Sequence, residues 1–210
     1  RFVMFTDDDG SITYFATYTA FDGITIAQHL LHTDDFRSFV VSPLAGAAAQ
    51  GKGLALFPRR INGRFVALSR SDRESNAIAY SDDMRCWPSS EQIQTPGRIW
   101  ELLQLGNCGS PIETTEGWLV LTHGVGPMRT YSLGVILLDL DNPEQVIASS
   151  DEPIIVPGTE QRDGYVPNVV YSCGGFAHGD TLVLPYGIAD QHIRIATLSM
   201  TELLRSLRRH

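Results

Sequence analysis

The segment GWLVLTHGVGPMRTYSLGVILLDLD, Gly117 to Asp141, follows a plan that the rest of the chain repeats. A turn glycine opens an apolar strand. A polar loop follows, and a second apolar strand ends on an acid. The plan recurs from Gly10 (GSITYFATYTAFDGITIAQHLLHTDD), from Gly63 (GRFVALSRSDRESNAIAYSDD) and from Gly179 (GDTLVLPYGIADQHIRIATLSM). Repeats of strands spaced by 53 to 62 residues predict a β-propeller, one sheet per blade. A propeller also predicts where a site lies: on one face, around the axis.

Each unit has a further strand ahead of its turn glycine: Arg1–Thr6, 53–58, 109–114 and 167–173. The intervening DDDG, INGR, TTEGW and AHGD read as hairpin turns. The unit is therefore strand A, tight turn, strand B, polar loop, strand C and an outer segment. Several B and C strands are apolar on both faces, as expected where a sheet packs between two neighbours. Residues 201–207 (TELLRSL) read as a short terminal helix with Thr201 as its N-cap. The expected class is all-β, and residues 1–210 form one propeller domain. Only four units are present, and the first is entered at strand A. A closed ring of four and an open arc lacking its N-terminal blade both remain open. The abrupt start at Arg1 favours the arc, which would leave unpaired edges that proteins normally avoid.

The formal charge of −8 argues against a general nucleic-acid surface, and no apolar run is long enough to span a membrane. No signal-peptide pattern opens the chain. Cys86, Cys108 and Cys173 are odd in number and distant in sequence. They make neither a disulfide framework nor a zinc set, and read as buried free thiols in a reducing, cytoplasmic compartment. Six histidines form no HExxH and no His-rich tract, so no metal is expected. Trp87, Trp100 and Trp118 read as packing residues, with a sugar platform open for one of them.

If strand A runs from the first face to the second, the A-strand starts and the B–C loops share the first face. Lys52, Gln104, Asn107 and 166–168 belong to the first group. Asp22, Arg70, Asp72, Arg73, His123, Arg129, Asp190 and His192 belong to the second. Lys52 lies in GKG, where glycines let a ligand approach the backbone. Arg70 ends a B strand, His123 sits in THG, and Arg129 lies in a B–C loop. Several basic groups at one funnel of an acidic protein point to an anion site. Asp190, after an otherwise apolar strand, reads equally as a sugar ligand and as a loop cap. Asp22 in AFDG reads as a turn residue.

The stretches ALFPRRINGRFVALSR, GSPIETTEGWLVLTHGV, SLGVILLDLDNPEQVI, NVVYSCG and PYGIAD together resemble glycoside hydrolase family 130. The resemblance runs from Arg1 to about Leu207 and is to the family's C-terminal portion. It implies a five-bladed propeller with about four blades represented here. It also implies an inverting β-mannoside phosphorylase, or a β-mannosidase, with no cofactor and with inorganic phosphate as co-substrate. The family's general acid is an Asp in a Glu-Asp-x-Arg motif. Arg1 resembles the final Arg, so the acid is expected just before residue 1 and the chain by itself is expected to be inactive. Lys52, Arg70 and His123 match phosphate-binding positions. Gln104 stands where a Lys is common, which weakens the anion site by one charge. Asp190 matches a mannosyl contact, Tyr131 resembles a residue on the acceptor side, and Asn107 is placed near the axis.

The leading expectation is therefore phosphorolysis of a β-mannoside oligosaccharide to α-mannose 1-phosphate. A hydrolase on the same scaffold would need a carboxylate base, with Glu101 and Glu74 the nearest candidates. A non-catalytic carbohydrate-binding propeller is the third reading. No nucleic-acid or membrane partner is expected, and homo-oligomerisation stays open.

Overall fold

The computed structural model describes residues 1–158 and 164–210, and it arranges the four repeats as four antiparallel sheets. In the first blade, β1 (Phe2–Thr6), β2 (Ile12–Phe21), β3 (Ile26–Thr33) and β4 (Val40–Pro43) pair in chain order. In the second, β5 (Ala55–Leu56), β6 (Phe65–Ser69), β7 (Asn76–Ser81) and β8 (Ser90–Gln94) do the same. The third blade is built on β9 (Gln104–Asn107), β10 (Ile112–Thr114), β11 (Gly117–Val125), β12 (Tyr131–Leu138) and β13 (Val146–Ser149). The fourth uses β14 (Val170–Tyr171), β15 (Phe176–His178), β16 (Thr181–Ile188) and β17 (His192–Ser199). Helix α1 (Met200–Ser206) closes it, and β18 (Arg208–Arg209) then returns to pair with β13.

The core lies between the sheets, which explains why the strands are apolar on both faces. Along β11, Trp118 and Val120 pack with Phe57, Val66 and Ile78 of the second blade. Their neighbours Leu119 and Leu121 point the other way and pack with Leu182 and Leu184 of the fourth. Alternation along one strand thus serves two interfaces. Val3, Phe5 and Leu30 meet Leu54, Phe65 and Trp87 between the first two blades. Leu203 and Leu204 of α1 join the cluster between the third and fourth.

Three details depart from the sequence reading. Strand A is broken in the last two blades: β9 and β10 both pair with β11, and β14 and β15 both pair with β16. The breaks meet at Gly109, where a Cβ would stand 2.6 Å from the carbonyl oxygen of Cys173 and from Cα of Gly174. The terminal helix starts one residue earlier than 201–207, and Ser199, not Thr201, is its N-cap. The Ser199 hydroxyl accepts from the Glu202 amide, while Thr201 donates its amide and hydroxyl to Asp180. Of the three free cysteines only Cys108 is buried; Cys86 and Cys173 are exposed, because both lie in loops. Among the described residues no helix is long and apolar enough to cross a membrane.

Candidate active site

A cavity of about 410 Å³ opens where the A-strand starts and B–C loops converge. Lys52 reaches it from just before β5, Arg70 from the end of β6, and Gln104 from the start of β9. His123 of β11 and Tyr131 at the start of β12 line it as well. The repeat therefore brings together all four residues expected to bind phosphate, together with Tyr131. Arg1, Thr17–Thr19, Gly53, Tyr171 and Cys173 form the rest of the wall, and among the described residues no carboxylate lines it.

The Nη1 of Arg70 donates to Nε2 of His123 at 2.8 Å. A guanidinium can only donate, so the imidazole accepts and carries its own proton on Nδ1, 3.9 Å from Cys108 Sγ. Burial, with Arg70 and Arg1 nearby, pushes the His123 pKa down to about 3. His123 is thus neutral. It orients Arg70 rather than adding the positive charge that the sequence suggested. Burial also lowers the Arg70 pKa, yet a guanidinium stays protonated at any physiological pH. The Tyr171 ring meets His123 edge-on at 5.1 Å, and the Tyr131 ring stacks at 6.2 Å. Arg1 donates from Nε to the Cys108 carbonyl at 3.0 Å and from Nη2 to the Tyr171 hydroxyl at 3.4 Å. Among the described residues Arg1, Lys52 and Arg70 form no ion pair, so their charge is available to a ligand.

Gly106 makes the Arg70–His123 contact feasible. A Cβ there would stand 2.6 Å from Cδ and Nη1 of Arg70 and 2.8 Å from Cε1 of His123. Sequence reasoning missed Gly106 and Tyr171. Tyr171 lies within NVVYSCG, but its role depends on the break that leaves β14 only two residues long.

Other expected residues lie elsewhere. Asp190 is exposed in an adjoining cavity of about 520 Å³, which shares Tyr131 and Tyr171 with the first and includes Arg129 and Asn168. Asn107 is 1 % exposed and does not line the main cavity; both atoms of its amide lack a partner among the described residues. Asp22 and Asp72 cap their own loops through backbone amides; these hold the Asp22 carboxyl below the usual range, while for Asp72 burial is outweighed by the Ser75 hydroxyl together with the Glu74 and Ser75 amides. Arg73 faces a separate cavity with Gln28 and Gln50. Glu101 is buried and accepts from the Gly97 amide and Arg98, and Glu74 is exposed on its loop. Neither candidate base lines the anion cavity. Among the described residues no three His, Cys, Asp or Glu side chains gather into a metal set.

Comparison with known proteins bears on the fold and the family. The family model described as beta-1,4-mannooligosaccharide phosphorylase matches residues 8–209. A 1,2-beta-oligomannan phosphorylase of Thermoanaerobacter sp. (strain X514) is 40% identical over 154 residues, covering 72% of this chain and 52% of that protein. A beta-1,2-mannobiose phosphorylase of Listeria innocua is 32% identical over 203 residues, covering 93% of this chain and 57% of its own. The solved structure of Beta-1,2-Mannobiose phosphorylase from Listeria innocua, in complex with beta-1,2-mannobiose, superposes with a TM-score of 0.85 at 30% identity. It covers 98% of this chain and 59% of that one. The chain thus spans between half and two thirds of the length of these relatives. The narrower expectation that it is the family's C-terminal portion is not borne out by a match running over residues 8–209. Four sheets around a cationic funnel and a family match along nearly the whole sequence lead to one conclusion: the chain belongs to glycoside hydrolase family 130.

Proposed function

We propose that this chain carries the phosphate- and sugar-binding face of a β-mannoside phosphorylase. One observation carries the reading: among the described residues, three cations without an ion-pair partner, Arg1, Lys52 and Arg70, line a cavity with no carboxylate in its wall. An inverting hydrolase needs a carboxylate base to activate water. A phosphorylase instead needs fixed positive groups to hold an anionic nucleophile. A phosphate oxygen attacks the anomeric carbon from the side opposite the glycosidic oxygen. The C–O bond breaks, its electron pair passes to the leaving oxygen, and that oxygen takes a proton. Inversion turns a β-mannoside into α-mannose 1-phosphate.

Arg70 and Lys52 hold the phosphate in this reading, and Arg1 faces it across the cavity. His123 fixes Arg70, and Gln104 adds a neutral hydrogen-bonding group in place of a further charge. Asp190 contacts the mannosyl unit and Tyr131 the acceptor side, with Tyr171 between the two cavities. Asn107 supports the site from beneath. The family's general acid, an Asp of a Glu-Asp-x-Arg motif, is the group that supplies the leaving oxygen with its proton. No cofactor enters the reaction, and the three free cysteines fit a reducing cytoplasm. The relatives named as phosphorylases of β-1,2- and β-1,4-mannosides set the substrates to try.

The natural protein is to be assayed on β-1,2- and β-1,4-mannobiose with and without phosphate. Phosphate-dependent release of mannose 1-phosphate is expected. Free mannose released at the same rate without phosphate contradicts the reading.

A further inference from the structure

The β11–β12 loop, which contributes Met128 and Arg129 to the cavity of Asp190, has a second side. Its residues Gly126, Pro127 and Thr130 face a separate cavity of about 660 Å³, walled by Trp100. Two strands leave room for this indole. A Cβ on Gly124 would stand 2.6 Å from Cε3 and Cζ3 of the Trp100 ring, and one on Gly134 would stand 2.4 Å from its Cη2. Gly124 is paired with Ser132, so Gly124, Ser132 and Gly134 share one sheet face beneath the ring. The indole Nε1 donates to the Asp151 carbonyl at 3.0 Å, which fixes the ring's orientation.

Two polar groups near the ring have no partner among the described residues. Ser132 is only 2 % exposed, lines this cavity, and its hydroxyl has no hydrogen-bond partner among the described residues. Glu152 lies at the rim with no ion pair among the described residues. An aromatic wall with a few convergent hydroxyl and carboxylate groups is the chemistry of a neutral, hydroxyl-rich ligand. The electron-rich ring face attracts the polarised C–H face of a pyranose, and carboxylate and hydroxyl groups bond its hydroxyls.

We infer that this cavity is a remote saccharide subsite, with Trp100 as platform for a mannosyl unit of a longer chain lying across the β11–β12 loop. The inference rests on the phosphorylase reading for its ligand. It needs no step in the reaction and can be tested by binding alone.

Fluorescence reports on it directly, because Trp87 and Trp118 are fully buried and Trp100 is the one partly exposed indole. β-1,2- and β-1,4-linked mannotetraose and mannobiose are titrated into the protein, with acrylamide quenching as the readout. Tetraose of one linkage is expected to shield Trp100 and to bind about tenfold or more tighter than the matching biose. Trp100→Ala should erase that difference, and Trp100→Phe, which keeps an aromatic face if the alanine variant is unstable, should retain part of it. Glu152→Gln should weaken tetraose binding alone. Unchanged quenching with tetraose of either linkage, or a chain-length preference that survives Trp100→Ala, overturns the inference. Phosphate-dependent turnover is scored separately. If turnover ignores phosphate but tetraose shields Trp100, the functional reading fails and the subsite stands. If turnover needs phosphate and Trp100 stays indifferent, the subsite fails alone.

Discussion

Arg70 holds its place through contacts that can be removed one at a time. Its charge faces the cavity, His123 fixes its tip, and Gly106 leaves space for it. Arg70→Ala should weaken phosphate binding roughly 10- to 100-fold, since hydrogen bonds to a charged group contribute about 1.5–3 kcal/mol. Gly106→Ala should weaken it at least about tenfold without removing any charge, because a Cβ would displace the guanidinium. Calorimetric titration of phosphate into each variant checks both. His123 gives a pH signature. The unfolded imidazole takes its proton near pH 6.5, while the folded one, held down by burial and by Arg70 and Arg1, resists to about 3. Between those values the unfolded state binds more protons, so stability falls as pH drops through that window. Thermal melts from pH 7 to 4 should show the loss, and His123→Gln should flatten it.

At the scale of the element, the repeat was legible because strands that pack on both faces leave long apolar runs punctuated by turn glycines. That pattern placed Lys52, Arg70, Gln104 and His123 on one face, since element order decides which strand ends meet, while Tyr131 came from the family resemblance. It could not place Tyr171 or Gly106. Their roles depend on where strand A breaks and on how close two blades approach, neither of which a local pattern encodes. It also counted His123 as a charge, because protonation is set by burial and by an arginine 53 residues away. The helix cap slipped for a similar reason. Ser199 and Thr201 are both good N-caps in sequence, and Asp180 from the preceding hairpin turn takes Thr201. Ser199→Ala should cost about 0.5–2 kcal/mol in chemical denaturation, as loss of a capping oxygen does.

At the scale of the molecule, the sheets are joined by inter-blade cores, and β18 ties the chain end back to the third blade. Trp118 is the largest side chain between the second and third blades, and it meets Phe57 edge-on at 5.1 Å. Truncation to Ala should cost about 3–5 kcal/mol. It should also loosen the funnel, because Arg70 and His123 come from those two blades. This is why a site whose wall has no carboxylate among the described residues can still be well defined: its charges are held by the packing of sheets.

The central claim is that this funnel is built for phosphate. The most direct measurement is a calorimetric titration of inorganic phosphate into the protein and its Arg70→Ala variant, with sulfate as control. Saturable phosphate binding, lost in the variant and weaker for sulfate, is the predicted result. Absence of saturable binding, or binding that Arg70→Ala leaves unchanged, would contradict it.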